Sequence, residues 1–441
     1  MARQIVFPFH LTMIEDLVNF KIHNCRIFKG KSHIPGILTG LKNEEQAVDL
    51  FDKCKNFTRA KEVIAAGMYP YFRPIQSGPG SEVTIDGRSM IMIGSNNYLG
   101  LTGHPKVVEA AKNAIDKYGT GCTGSRYLNG TLDIHVELEH RLARFMNRDK
   151  VICFTTGHQS NQGALSAIIG KNDIVFTDRA DHASIVDGCR LSFGKIKKYR
   201  HNDMDDLERA LSSEKETEAG KLIVTDGVFS MEGDIVKLPR VIELARKYNT
   251  RVYVDDAHSV GVLGKNGRGT AEHFGLEDKV DISMGTFSKS FASVGGFVAG
   301  DDDIIDYIKH FARSLIFSAS PPPASVAAVL ASLDIIESEP ERLEKLRKNT
   351  KKMHAGFRSL GFNTGLSETP IIPIKIGTDE DCFAFWKLMF ENGVFANPAI
   401  SPAVPPGEAI IRTSYMATHT DEELNKVLEI FAKLGKKFGI I

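Results

Sequence analysis

Between Lys150 and Gly300 the chain carries seven short apolar runs with helical segments between them and no internal repeat: KVICFTTG, DIVFTD, KIKKYRH, KLIVTDGVFSM, RVYVDDAHS, DISMGTFSKS and GGFVAG. Runs of this length, rich in Val and Ile and separated by helical spacing, specify a mostly parallel sheet with helices on both faces. Ligands in such sheets bind at the carboxyl ends of the strands. The polar residues of these runs fall there, in TTG, TD, DGVFS, DDAHS and TFSK.

The flanking sequence is organised differently. Residues from Phe51 to Ala66 carry apolar side chains at helical spacing, followed by the Pro-punctuated YPYFRPIQSGPG and a hairpin expected to turn at Asp86-Gly87. HPKVVEAAKNAIDKYG reads as an amphipathic helix with Pro105 near its start and Val108, Ala111, Ile115 and Tyr118 on one face. HVELEHRLARFMN repeats this with Leu138, Leu142 and Phe145. After FSASPPPASV one long helical segment is expected over roughly Ala324 to Leu360. PIIPIKIG, a helix near Cys382 to Asn392, GEAIIRTS and a last helix from Asp421 then read as a smaller α+β domain. The expected organisation is an atypical N-terminal extension (1–45), an N-terminal arm (46–96), a large α/β domain (97–323) and a C-terminal small domain (324–441).

Composition narrows the function classes. The 55 Lys and Arg balance 55 Asp and Glu, so the clustered basic excess that nucleic acid or an anionic membrane surface usually calls for is absent from the overall balance. Six cysteines without a CxxC pair argue against a zinc ribbon, a redox dithiol or a disulfide scaffold. The apolar stretch at the N-terminus is interrupted by Pro8, His10, Glu15 and Asp16, and it lacks a secretory cleavage pattern. A soluble, cytoplasmic protein is expected. Any membrane contact falls to a local patch, for which residues 1–45 are the candidate.

The glycine motif Gly119-Thr120-Gly121-Cys122-Thr123-Gly124 satisfies G-x-G-x-x-G, but it follows a helix where a dinucleotide site needs a strand. A closely packed glycine loop is the better reading. More specific is Lys289, just beyond an apolar strand, with Ser288 and Ser290 on either side and Thr286 nearby. Most lysines are solvated surface residues. Small and hydroxylic neighbours suit instead a partly desolvated amine that forms a Schiff base, with Thr286 and Ser288 free to bond a phosphate. Asp255, Asp256 and His258 end another strand. They read as a metal site lacking further ligands, as satisfied polar residues at a turn, or as an acid holding a pyridinium nitrogen protonated, and a lysine some thirty residues on favours the last. Gly157 opens a helix whose first amides form an anion site. His182 is either a capped loop residue or an imidazole stacked on a planar cofactor. Together these groups describe pyridoxal 5′-phosphate, with no metal.

GSNNYLGL, GTGCTGSRYLNGT, DHASIVDG, the EGVFS-like DGVFSMEGD, VDDAHSVGVLG with NGRG, and GTFSKSFASVGGF occur in the order found in the α-oxoamine synthase family of fold-type I pyridoxal-phosphate enzymes. The chain resembles that family from about Asn56 to its C-terminus, and the GTFSKS around the lysine resembles its serine-using branch, as do SPAVPPG and IIRTS. The resemblance implies that Lys289 carries the cofactor, Asp255 pairs with the ring nitrogen, His182 stacks on the ring and orients the substrate carboxylate, and His258 meets the phenolic oxygen. It implies that Gly157 and His158 grip the phosphate with Thr286 and Ser288, joined by Ser318 from a neighbouring subunit. Arg412 would hold the amino-acid carboxylate, and Asn97 would line the substrate side. His158 stands where an aromatic ring is expected, Ile400 where some relatives carry arginine, and Asp256 where many carry glutamate. The implied activity is decarboxylative condensation of L-serine with a long-chain acyl thioester, carried by coenzyme A or a carrier protein, to 3-ketodihydrosphingosine in a homodimer. The alternatives are a sister synthase using glycine or alanine, of the aminoketobutyrate ligase or aminooxononanoate synthase type, and a non-catalytic partner subunit, against which Lys289 itself counts.

Overall fold

A computed structural model of the chain describes residues 49–78 and 80–441. These divide into two units between Thr58 and Arg59. In the first, Asp52–Lys55 forms a single helical turn in which Lys55 bonds Asp49 at 2.7 Å and Asp52 at 3.2 Å. The helical spacing that runs on to Ala66 is realised in the second unit as a separate helix, Arg59–Ala65. Neither piece buries a side chain, so no apolar face sustains one longer helix. Residues 1–45, the candidate for membrane contact, lie outside the described residues. Among the described residues no helix is long and apolar enough to cross a membrane.

β1 (Glu82–Ile85) and β2 (Arg88–Met92) form the expected hairpin. Asp86 at φ 51° and Gly87 at φ 71° supply the two left-handed positions that a two-residue turn between twisted strands requires.

All seven apolar runs join one sheet. β3 (Lys150–Phe154), β4 (Ile174–Asp178), β5 (Lys195–Tyr199), β6 (Lys221–Asp226), β7 (Arg251–Asp255), β8 (Ile282–Thr286) and β9 (Gly296–Gly300) lie in the order β3-β9-β8-β7-β6-β4-β5. The neighbours from β5 to β8 pair in parallel, and only β9 runs against both of its neighbours. A parallel return needs a crossover of a dozen residues or more, and only residues 287–295 separate β8 from β9. The chain therefore turns straight back with Thr286 opposite Gly296, and the turn carries Lys289 to the carboxyl end of the sheet.

Inward of the edge strand β5, both faces of the sheet are buried. Val175 and Val224 pack with Leu165 and Ile185 on one side, while their chain neighbours Phe176 and Ile223 pack with Leu207 and Val241 on the other. This is the period of two expressed through strands buried on both faces.

Two helical expectations change. In Pro105–Tyr118 the buried residues are Val107 and Ala114, while Val108 and Ile115 are exposed, because the small Ala side chains let the helix bury the neighbouring stripe against Pro323–Ser338. The second helix, Asp133–Met146, buries Leu138, Leu142 and Phe145 as expected. The long segment to Leu360 breaks into Pro323–Ser338 and Pro340–Leu360. Pro340 forces the break, since the residue before a proline is driven out of the helical region and Glu339 sits at φ −121°, ψ 64°.

β10 (Ile371–Gly377), β11 (Val394–Phe395), β12 (Asn397–Ala399) and β13 (Ala409–Ser414) complete the strands. β13 lies between β10 and β12, which sets Arg412 opposite both Pro373 and Asn397. The last helix, Asp421–Lys437, starts at a reciprocal cap in which the Thr420 hydroxyl accepts from Glu423 N–H and Glu423 accepts from Thr420 N–H.

Candidate active site

The helix Gly157–Ile168 leaves β3 with Thr156 as its cap, whose hydroxyl accepts from Gln159 N–H at 3.1 Å. The first N–H groups of such a helix, here Gly157 and His158, have no partner within it and attract an anion. A side chain at 157 would put its Cβ 2.6 Å from the Thr286 hydroxyl, so glycine alone lets the helix start approach β8 this closely. Thr286 in turn bonds the Ser288 hydroxyl at 2.9 Å, and Gln159 donates to the Ser318 hydroxyl at 3.0 Å. Two amides and three hydroxyls thus gather at one helix start.

One turn further along that helix, Asn161 is fully buried. Its Nδ2 donates to Asp255 Oδ2 at 2.6 Å and to Ser184 Oγ at 2.8 Å, while its Oδ1 accepts from the Tyr253 hydroxyl at 2.8 Å. Having accepted from Asn161, the Ser184 hydroxyl donates to His182 Nδ1 at 2.7 Å, and Ser184 N–H reaches the same nitrogen at 3.3 Å. Two donors on Nδ1 leave the His182 proton on Nε2. Burial lowers this imidazole from its ordinary range, with Lys289 and His158 adding to the effect against Asp255, in keeping with a neutral ring. Sequence reasoning missed Asn161. Nothing in the sequence around it marked Asn161 as buried.

Lys289, His182, His258 and Arg412 line one cavity of about 760 Å³. Burial draws the Lys289 ammonium down to about 8, helped by Arg412 and opposed by Asp255 and Asp226. His258 is buried, bonds the Tyr98 hydroxyl through Nδ1 at 2.7 Å, and is pushed far below its ordinary range by burial and then by Lys289 and Arg412. Arg412 donates from Nε to Ser230 O at 2.6 Å and from Nη2 to Asn96 Oδ1 at 3.0 Å. Its remaining nitrogen is thereby aimed by two fixed contacts.

Other expected residues are placed differently. Asn96, not Asn97, lines the cavity, because Asn97 turns its Oδ1 back to accept from Leu101 N–H at 3.1 Å. His158 is exposed, sits 3.4 Å from Asp187, and meets His182 edge-on with ring centroids 6.3 Å apart. Asp256 accepts from Thr270 N–H at 3.0 Å and does not line the cavity. Ser318 reaches the helix start from its own chain, through Gln159. Ile400 lies in the cavity wall, which leaves Arg412 as the one arginine among the described residues lining it. The loop at Gly119–Gly124 follows a helix, but only Gly124 is closely packed, where a Cβ would lie 2.0 Å from Asn129 Oδ1; Gly119 and Gly121 are exposed with open space around them.

The donor set fits pyridoxal phosphate. N–H and hydroxyl donors gather where a phosphate would sit, a buried carboxylate is held by Asn161, and a desolvated lysine stands in the same cavity as two imidazoles and a guanidinium.

The family model described as aminotransferase class I and II matches residues 88–431. The serine palmitoyltransferase of Sphingobacterium spiritivorum is 54% identical over 391 residues, which is 89% of this chain and 98% of that protein. That of Bacteriovorax stolpii is 52% identical over 390 residues, 88% of this chain and 93% of that protein. A solved serine palmitoyltransferase from S. paucimobilis, with a bound PLP–myriocin aldimine, superimposes with a TM-score of 0.86 at 35% identity, covering 89% of this chain and all of that one. The chain belongs to the aminotransferase class I and II family, in its serine palmitoyltransferase branch.

Proposed function

We propose that this enzyme condenses L-serine with a long-chain acyl thioester, palmitoyl-coenzyme A in the first instance, with loss of CO2, and that it works with pyridoxal 5′-phosphate. The product is 3-ketodihydrosphingosine, the first intermediate of sphingolipid synthesis. The observation that carries this reading is the shared cavity of Lys289 and Arg412, an amine drawn down to about 8 by burial together with a guanidinium fixed by Ser230 and Asn96. That pair suits an amino acid, whose carboxylate needs a fixed fork and whose Cα proton needs a base.

Gly157 and His158 N–H, Thr286, Ser288 and Ser318 would hold the cofactor phosphate, Asp255 the ring nitrogen, His182 the ring face and His258 the phenolic oxygen. When bound, the cofactor supplies an aldehyde for the amino group and a ring that accepts electrons from Cα. The chain's own residues do the rest. Arg412 binds the serine carboxylate. Lys289, near 8, is neutral often enough at neutral pH to take the Cα proton and return it. His182, protonated at Nε2, offers a donor to the same carboxylate and restrains its early loss. Asn161 fixes both Asp255 and, through Ser184, His182.

The reading includes a homodimer with the site near the subunit contact. Support comes from Phe317, beside Ser318, and from Leu128, which are 74% and 77% exposed in the single chain. The test is to incubate the purified holoenzyme with serine, glycine or alanine and a panel of acyl thioesters on coenzyme A and on carrier protein, identifying products by mass. Serine with a long acyl chain is expected to give the highest kcat/KM. A preference for glycine or alanine with a short acyl group would move the enzyme to a sister activity.

A further inference from the structure

Two buried carboxyl groups take no part in the reading above: Asp226, the last residue of β6, and Asp181, in the turn after β4. They are tied to the His182 turn. Asp226 Oδ2 accepts from His182 N–H at 2.7 Å, Asp226 N–H donates to Asp181 Oδ1 at 3.0 Å, and Asp181 Oδ2 accepts from Asp178 N–H at 2.8 Å. The segment from Asp178 to His182 is thus bound to the end of β6 from both directions. Asp226 also opens DGVFSMEGD, the motif in which this chain has aspartate where the resembled pattern has glutamate.

We propose that Asp226 is a positioning residue for His182, its carboxyl fixing the main chain from which the imidazole projects into the cavity. The proposal rests on the reading of that cavity as the cofactor and serine site. His182 is held at two points: Ser184 sets its ring from the side-chain end, and Asp226 sets its backbone. With both in place the ring has little freedom, and a buried site rewards such preorganisation.

The charge of the carboxyl is consistent with this work. The charged groups that act on Asp226 are Asp255, Asp181 and Lys289, and the His182 main-chain N–H donates to it. Burial, then Asp255 and Asp181, push Asp226 well above the usual carboxylate range, with the His182 N–H and Lys289 opposing. Pushed in this direction, the carboxyl is less inclined to add a second negative charge beside Asp255, and either form of it accepts the N–H. Asparagine offers the same acceptor at the same length, whereas glutamate carries its carboxyl one methylene further from the main chain and so shifts the acceptor.

The experiment compares holoenzyme variants D226A, D226N, D226E and H182A by kcat and KM for serine, the visible absorbance of the bound cofactor, and thermal midpoint. D226A and H182A are expected to change the absorbance in the same way and to lower kcat by about 10- to 100-fold, with KM moving less. D226N is expected to restore most of what D226A loses. If D226A does not fold, D226E carries the comparison and is expected to show the same absorbance change. A D226A enzyme with normal absorbance and kcat and only a lower midpoint overturns the proposal, as does a D226N enzyme as impaired as D226A. If H182A itself changes neither absorbance nor kcat, the reading of the site fails and takes the proposal with it.

Discussion

Asn161 donates an amide N–H to the Asp255 carboxylate at 2.6 Å, from inside the same helix whose first turn offers its amides to an anion. One helix therefore addresses both ends of the proposed cofactor. A hydrogen bond to a charged group contributes about 1.5–3 kcal/mol, or roughly 10- to 100-fold in an equilibrium constant. N161A is expected to weaken pyridoxal phosphate binding by about that factor, and N161D by more, because it sets a second carboxylate against Asp255. Titrating the cofactor into stripped protein by absorbance checks this. Equal affinity across the three proteins would remove Asn161 from the site.

Lys289 yields a pH prediction with a definite sign. Burial brings its ammonium from 10.5 to about 8, and only the neutral amine attacks an aldehyde. Capture of pyridoxal phosphate by cofactor-free protein is expected to accelerate about tenfold per pH unit below 8 and to level off above it. An unshifted lysine would keep accelerating toward 10.5. Stopped-flow absorbance distinguishes the two, and a rate still climbing steeply past pH 9 means the amine is not desolvated.

Much of this was legible in the sequence, and the exceptions have physical causes. Six of the seven runs were legible because strands buried on both faces must be apolar throughout, a pattern that loops and amphipathic helices do not imitate, whereas the edge strand β5 carries three lysines and buries only Tyr199. Lys289, His182 and His258 converge because each lies just beyond a carboxyl strand end of one sheet, while Arg412 reaches the same cavity from within β13 of another. Asn161 and Ser184 were not legible, since a polar residue inside a helix reads as solvated until its neighbours are known. Asn96 and Asn97 illustrate the limit of residue type alone. The two amides are adjacent and identical, and only the turn at Leu101 decides which of them faces Arg412.

His201 gives a second pH prediction, on stability. Burial alone would lower it, but Asp178 at 3.2 Å and Asp234 at 3.3 Å prevail and raise it to about 10. The folded protein holds this proton up to about 10, while the unfolded chain releases it near 6.5. The unfolded state therefore binds fewer protons between those values, and stability falls as pH rises through that window. Below 6.5 the contribution is complete, and above about 10 it is gone. H201Q should lower the thermal midpoint most near pH 6.5 and progressively less toward pH 10. A midpoint gap that does not narrow would show that the imidazole is uncharged in the folded protein.

Arg412 separates shape from charge. Nε is committed to Ser230 O and Nη2 to Asn96, and both contacts lie along one planar fork. Lysine keeps the charge but has a single ammonium on a flexible stem, which cannot hold the main chain, the amide and a ligand carboxylate in one fixed geometry. R412K should therefore lose most of what R412A loses. Losing a charge-assisted bond costs about 1.5–3 kcal/mol, so KM for serine should rise roughly 10- to 100-fold in both variants. KM for the acyl thioester should change little, because that substrate brings no amino-acid carboxylate. Steady-state kinetics with each substrate varied in turn measures the split. An R412K enzyme with normal serine KM would mean that charge alone suffices, and an R412A enzyme with normal serine KM would place the carboxylate elsewhere in the cavity.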